Sequence, residues 1–137
     1  MIRKASAEWK GDLKAGKGTV STDSGVLKGA SYGFTTRFEN APGTNPEELI
    51  AAAHASCFSM ALSAQLGERG VTPEAIETTS SITFENLTLT KSVLKTTVKA
   101  RGADKAKVEE AAAAAKVGCP ISKVLKLEIV LELTVAT

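Results

Sequence analysis

The sequence is poor in the side chains that bind metals or form disulfide frameworks. It has only two cysteines, Cys57 and Cys119, which lie 62 residues apart, and a single histidine, His54. This spacing matches no metal-ligand motif, so we expect neither a metal nor another cofactor. A close Cys-x-x-Cys pair, which a general thiol–disulfide oxidoreductase would be expected to carry, is also absent.

Neither sign of charge is in large excess. The chain carries 17 basic and 15 acidic residues, for a net charge of +2, and the basic residues are scattered. A nucleic-acid-binding surface normally needs a strong basic excess on one face. We therefore expect no nucleic-acid partner.

The sequence also lacks an uninterrupted apolar run of the ~18 residues that a membrane span requires. The longest candidate, residues 49–66, contains five polar side chains: His54, Ser56, Ser59, Ser63 and Gln65. Residues 1–4 become polar at once, unlike a secretory signal. We expect no membrane partner and a cytoplasmic location, where a cysteine pair more often has a chemical than a structural role.

The chain length and the residue patterns predict one α+β domain over residues 1–137. Alternation of apolar and polar residues predicts strands at 6–9, 19–22 and 32–38, two more between 79 and 100, and a last one at 125–135. Capping signals predict helices at 46–69, 105–116 and 120–124. In the first helix, Asn45 suits the N-cap, Pro46 the first turn, and Glu48 the capping box.

The first of these helices contains Cys57. Thirteen of the eighteen residues from 49 to 66 are apolar, and a helix that is apolar nearly all round is buried. On this evidence alone, Cys57 is a small core side chain.

A row of small residues follows one side of the same helix, spaced i, i+4, i+7 and i+11: Ala52, Ser56, Ser59 and Ser63. This small-residue seam allows another helix to approach closely. Its partner would be the second helix of the chain or the same helix of another subunit, and we expect a homodimer.

Cys119 has a more suggestive setting, because Gly118 and Pro120 place it at the start of a helix. Unpaired backbone N–H groups and the helix dipole favour the thiolate there. One cysteine in mid-helix and another at a helix start suggest a reactive pair.

Six segments together resemble the OsmC/Ohr family of osmotically inducible and organic hydroperoxide resistance proteins. They are GKGTV at 16–20, SGVL at 24–27, YGFTTRFE at 32–39, GTNPEEL at 43–49, AAAHASCFSMAL at 51–62 and GCPIS at 118–122. The first three and the last resemble the OsmC branch. The resemblance implies an intertwined α+β homodimer, with antiparallel sheets around a long buried central helix and two active sites at the subunit interface.

The resemblance also implies a thiol-dependent peroxidase. Cys57 would be the peroxidatic cysteine and Cys119 the resolving cysteine, with Arg37 and Glu47 completing the site. The substrate would be an organic hydroperoxide, with hydrogen peroxide reduced less well, and an external dithiol would reduce the Cys57–Cys119 disulfide. Two other functions stay open: a general thiol–disulfide oxidoreductase and a non-catalytic, stress-related binding protein.

Physical arguments constrain these roles. Burial raises the pKa of a thiol, and a guanidinium held by a carboxylate would oppose that effect. We expect Arg37 on the strand face opposite Phe34 and Phe38, where it could otherwise be a solvated surface residue. Glu47 precedes Cys57 by ten helical residues, a rise of about 15 Å, so it would have to act from the other subunit.

Two residues of the same helix have simpler interpretations. Glu47 could be a first-turn acid favoured by the helix dipole. His54 lies one turn before Cys57, and we interpret it as a packing or interface residue.

Overall fold

The computed structural model describes all 137 residues. The elements, in chain order, are β1 (Ala5–Lys10), β2 (Lys17–Thr22), β3 (Ala30–Tyr32), α1 (Phe34–Phe38), α2 (Pro46–Glu68), β4 (Ala75–Glu85), β5 (Thr88–Lys99), α3 (Lys105–Gly118), α4 (Pro120–Val124) and β6 (Glu128–Ala136). The chain forms two compact units, Met1–Leu49 and Ile50–Thr137. The single domain over residues 1–137 stays a prediction.

The first unit contains an antiparallel sheet in the order β1-β2-β3. The expected strand over residues 32–38 is wrong, because β3 ends at Tyr32 and the chain turns into α1. Phe34 and Phe38 therefore share a helix face, with ring centroids 4.9 Å apart. A separation of four residues fits both a strand face and a helix face, so the alternation did not decide between them.

Helix α2 begins as the sequence predicts. The Asn45 side-chain oxygen accepts a 2.8 Å hydrogen bond from the backbone N–H of Glu48, which is an N-cap interaction. The Glu48 carboxylate does not close the expected capping box and instead accepts a 2.9 Å hydrogen bond from the Thr44 hydroxyl.

The second unit contains a sheet in the order β4-β5-β6. β4 and β5 form an antiparallel hairpin whose turn, Asn86 and Leu87, has positive φ angles of 51° and 55°. β6 pairs with β5 in parallel, so the expectation of purely antiparallel sheets is wrong here. The reason is the connection, because α3 and α4 return the chain to the starting end of β5, as a parallel pairing requires.

The core of the second unit lies under one face of α2. Three apolar side chains of that helix, Phe58, Leu62 and Leu66, are fully buried at a spacing of four residues. The opposite face is exposed, and Met60 there is 77% accessible. The composition of the helix predicted burial all round. Within the chain, however, the helix is buried on one side only.

By length and composition, α2 is apolar enough to cross a membrane, with a mean hydropathy of 1.4 over 18 residues. The five polar residues that interrupt this segment do not keep it from reaching this level. A core helix of a soluble protein meets the same criterion, so the absence of a membrane partner stays a prediction.

Candidate active site

Cys119 lies where the sequence predicts, between two helices. α3 begins at its N-cap Asp104, whose carboxylate accepts a 2.9 Å hydrogen bond from the backbone N–H of Ala106. α3 ends at Gly118, and α4 starts at once with Pro120 in its first turn. Cys119 is thus both the C-cap of α3 and the N-cap of α4, and its side chain is fully buried.

Cys57 reaches the same place from α2. It is partly buried, packs against the core of the second unit and is a free thiol, as is Cys119. Burial raises the pKa of the Cys57 thiol, and hydrogen bonding to Cys119 raises it further, although the backbone of Ile121 opposes the effect. The raised pKa agrees with the expectation from the sequence that a buried Cys57 thiol requires a nearby positive charge to ionise.

Cys119 has the opposite tendency. Burial alone would raise the pKa of this thiol, but hydrogen bonding by Cys57, by the backbone and hydroxyl of Ser122 and by the backbone of Ile121 lowers it. None of these backbone interactions has the geometry of a helix-capping hydrogen bond, so they act through the N–H dipoles of the first turn of α4. Of the two thiols, Cys119 is the better thiolate in this unit.

In the first unit, Arg37 and Glu47 form a fork-shaped ion pair. Arg37 donates from Nη2 and Nε to Glu47 Oε1 at 2.7 Å and 3.0 Å, and from Nε to Oε2 at 3.3 Å. The Glu47 side chain is only 11% exposed, whereas that of Arg37 is 38% exposed. The carboxylate therefore fixes the orientation of a guanidinium that still reaches the surface.

Arg37 lies on α1 and not on a strand, which corrects the expected position. Its guanidinium carbon lies 5.6 Å from the centroid of the Phe38 ring, within the range of a cation–π contact.

A cavity of about 290 Å³ opens beside this arginine. It is lined mostly by aromatic side chains, with a tilted contact of 5.6 Å between the ring centroids of Trp9 and Tyr32 at one side. The lining residues are Trp9, Leu13, Tyr32, Gly33, Phe34, Arg37 and Phe38. An apolar cavity with one cationic group suits an organic molecule that carries a polar or anionic end.

The sequence interpretation missed the role of His54 as the centre of a buried hydrogen-bonded cluster. Its Nδ1 lies 2.7 Å from Ser92 Oγ and its Nε2 lies 2.9 Å from Ser122 Oγ. Ser92 Oγ in turn lies 2.9 Å from Ser80 Oγ. Burial lowers the pKa of His54, which favours the neutral ring. A lone histidine in an apolar helix was the available signal, because both ring nitrogens of a buried histidine need partners.

The structure thus joins the four predicted site residues in two pairs. Cys57 and Cys119 meet in the second unit, and Arg37 and Glu47 meet in the first. No group of three or more His, Cys, Asp or Glu side chains is arranged to hold a metal ion.

The chain is similar to a known protein family and to several solved structures. The family model for OsmC-like protein matches residues 38–134. Among solved structures, an OsmC-like protein from Vibrio cholerae is 18% identical, with a TM-score of 0.78 over 98% of this chain and 99% of that chain. The organic hydroperoxide resistance protein OhrB of Bacillus subtilis is 27% identical, with a TM-score of 0.68 over 96% of this chain and 98% of that chain.

The chain belongs to the OsmC-like family, as the sequence motifs predicted. It is 53% identical over 134 residues to the peroxiredoxin OsmC of Escherichia coli K12, a match that covers 95% of this chain and 94% of that protein. The peroxiredoxin OsmC of Shigella flexneri matches to the same extent. The expected α+β fold and the class of cysteine-based peroxidase are confirmed.

Proposed function

We propose that the protein reduces organic hydroperoxides, and hydrogen peroxide less well, with Cys57 as the peroxidatic and Cys119 as the resolving cysteine. We further propose that it works as a cytoplasmic homodimer. The observation that carries this proposal is that Cys57 packs against the buried cluster that contains Cys119 in the second unit. The interaction between the two thiols raises the pKa of Cys57 and lowers that of Cys119.

The reaction has three balanced steps. The Cys57 thiolate attacks one peroxide oxygen, the O–O bond breaks, and the alkoxide takes up a proton to leave as an alcohol. The product is a Cys57 sulfenic acid. The Cys119 thiolate then attacks the sulfenic sulfur, the S–O bond breaks, and hydroxide takes up a proton to leave as water. An external dithiol reduces the resulting disulfide by exchange and is itself oxidised.

The second step suits the electrostatics of Cys119. Formation of a disulfide requires a thiolate to attack the sulfur of the sulfenic acid. Hydrogen bonding from Cys57, Ser122 and Ile121 lowers the pKa of Cys119, which favours its thiolate over that of Cys57. Because Cys119 is fully buried, attack by outside oxidants is limited.

The first step needs a further charge, because the pKa of Cys57 is raised. Arg37, held by Glu47, is the cation that we propose for this task. Glu47 and Cys57 are ten residues apart on α2, which is about 15 Å of helical rise. We therefore propose that the Arg37–Glu47 pair of one subunit serves Cys57 of the other, with the two α2 helices crossing at the small-residue seam. Three of its four members, Ala52, Ser56 and Ser63, are exposed.

The preference for organic substrates is supported by the aromatic cavity beside Arg37. Phe34 and Phe38 offer apolar surface to an alkyl or aryl group, which hydrogen peroxide does not possess. The relative from Bacillus subtilis is described as an organic hydroperoxide resistance protein, which agrees with this substrate class.

A peroxide-consumption assay with dithiothreitol as reductant tests the proposal, using cumene hydroperoxide and hydrogen peroxide as alternative substrates. We expect Cys57→Ser to abolish turnover, and Cys119→Ser to form a Cys57 sulfenic acid that dimedone traps. Ser81→Ala, an exposed serine on β4, is a control that should retain full activity. Thiol-dependent consumption of neither peroxide by the wild type, or an active Cys57→Ser variant, would contradict the proposal.

A further inference from the structure

His54 sits at the centre of a row of hydrogen-bonded polar side chains inside the second unit. The His54 ring and Ser92 are completely inaccessible, and Ser122 is 8% exposed. The row runs from Ser80 through Ser92 and His54 to Ser122, with successive distances of 2.9, 2.7 and 2.9 Å. No buried side-chain nitrogen or oxygen in the chain lacks a partner.

This row ends beside Cys119, because Cys119 is the N-cap of α4 and Ser122 is the third residue of that helix. Consistent with this placement, the Ser122 hydroxyl helps to lower the pKa of the Cys119 thiol. Four elements contribute to the row, since Ser80 lies on β4, Ser92 on β5, His54 on α2 and Ser122 on α4. The hydroxyl hydrogen of Ser122 therefore has two acceptors within reach, His54 Nε2 and the sulfur.

The tautomer of His54 decides between these acceptors. If Nε2 carries the ring hydrogen, it donates to Ser122 Oγ, and the Ser122 hydroxyl is left to donate to Cys119. At the other end, Nδ1 then accepts from Ser92, which accepts from Ser80. If Nδ1 carries the hydrogen, every hydrogen bond in the row runs in the opposite direction, and the Ser122 hydroxyl donates to Nε2 of the ring. A thiolate can only accept, so an ionised Cys119 selects the first arrangement.

We propose that His54 is a positioning residue for Cys119, which directs the hydroxyl hydrogen of Ser122 onto the Cys119 sulfur through the hydrogen-bonded row from Ser80. The inference rests on the proposed function in one respect only, that Cys119 is the resolving thiol. In chemical terms, His54 does not exchange protons with substrate. It keeps the attacking sulfur of the second step supplied with a hydrogen-bond donor.

The titratable groups around this sulfur are few. From α2, Cys57 bonds the sulfur directly and His54 is linked to it through Ser122. The Ser80 and Ser92 hydroxyls, on β4 and β5, are uncharged and lie at the far end of the row. No lysine, arginine or carboxylate side chain contributes to the lowered pKa of Cys119. Loss of the Ser122 donor should therefore be visible in the ionisation of Cys119 itself.

The first experiment reads the tautomer directly. Because the chain has a single histidine, the imidazole ¹⁵N resonances of the reduced, untagged protein at pH 7 come from His54 alone. We expect the shifts of a neutral ring with hydrogen on Nε2. A ring with hydrogen on Nδ1, or a doubly protonated ring, overturns the proposal.

The second experiment measures the ionisation of Cys119 by thiolate absorbance at 240 nm, in a Cys57→Ser background where it is the only thiol. An Asn side chain can reproduce the Nδ1 position of histidine, and a Gln side chain the Nε2 position. We expect His54→Asn to raise the titration midpoint by about one pH unit, as loss of a hydrogen bond to a charged group predicts. His54→Gln should retain the donor to Ser122 and stay near the parent value.

Ser122→Ala is the second variant, which removes the donor without disturbing the histidine helix and should raise the midpoint equally. Ser81→Ala is the control and should leave it unchanged. Thermal unfolding of each variant separates loss of the fold from loss of the donor. An unchanged midpoint in folded His54→Asn and Ser122→Ala overturns the proposal. A raised midpoint in a protein without peroxide turnover would instead support the positioning role and contradict the proposed function.

Discussion

A mixture of two impaired subunits can show whether each active site is shared. We take Glu47→Ala, which removes the carboxylate that orients Arg37, and Cys57→Ser, which removes the peroxidatic thiol. In a two-fold dimer with shared sites, the heterodimer joins the intact Cys57 of the first variant to the intact Glu47 of the second. Its other site carries both substitutions and is inactive.

The expected size of the effect follows from the ion pair. Hydrogen bonds to charged groups contribute about 1.5–3 kcal/mol, but Arg37 is 38% exposed, and solvent reduces the contribution to about 1–2 kcal/mol. The Glu47→Ala homodimer should therefore lose about 5- to 30-fold in kcat/KM. The isolated heterodimer should regain about half of the wild-type activity, because one of its two sites is intact.

The assay uses co-expressed subunits with two different tags, so that only heterodimers are purified, followed by consumption of cumene hydroperoxide. Glu48→Ala is the matched control, because this neighbouring glutamate is exposed and its carboxylate bonds Thr44 and not an arginine. As a homodimer it should keep wild-type activity. A heterodimer no more active than half of the Glu47→Ala homodimer would refute the shared site. A monomeric wild-type protein in solution would refute it as well.

Three further predictions concern the substrate cavity, the buried histidine and the core. Phe34→Ala should lower kcat/KM for cumene hydroperoxide about fivefold through lost apolar contact and leave hydrogen peroxide unaffected; equal losses for both substrates would contradict an apolar subsite. Burial lowers the pKa of His54 from 6.5, so the unfolded chain takes up the proton at a higher pH than the folded chain does. The free energy of unfolding should therefore fall as the pH drops below about 6.5, by at most about 1.4 kcal/mol per pH unit. In urea unfolding, His54→Gln should lack this contribution to the pH dependence, and an unchanged pH dependence would contradict the prediction. Leu62→Ala should cost about 2–5 kcal/mol in urea unfolding, whereas Met60→Ala, at an exposed position, should cost under about 0.5 kcal/mol; similar losses for both would refute the assignment of the buried face.

Much of the helical structure could be predicted because short-range chemistry decides it. Asn45 and Asp104 each cap a helix through their own side chains, and these contacts depend only on residues two or three positions away. The Gly-Cys-Pro sequence likewise located Cys119 at the start of α4. Such signals are readable in a single sequence because their partners are adjacent in it.

The wrong or missing predictions concern features that are decided by contacts between residues far apart in the sequence. Phe34 and Phe38 fit either periodicity, so the sequence did not locate Arg37 on a helix. The parallel pairing of β5 with β6 depends on how the chain between them packs, which alternation cannot express. The cluster around His54 joins residues 38 and 68 positions away from it. The resemblance to a family implied roles for single residues but no such network, so the sequence predicted His54 as a packing or interface residue.

The crossover between β5 and β6 also has a consequence for how the protein is made. Cys57 leaves the ribosome 62 residues before Cys119, and Cys119 sits in the crossover that leads to the pairing of β6 with β5. Pairing of distant segments is a slow step in folding. A nascent chain therefore exposes the Cys57 thiol before Cys119 is in place beside it. We expect refolding chains to be alkylated at Cys57 until strand pairing is complete, and pulse labelling with iodoacetamide would measure that interval.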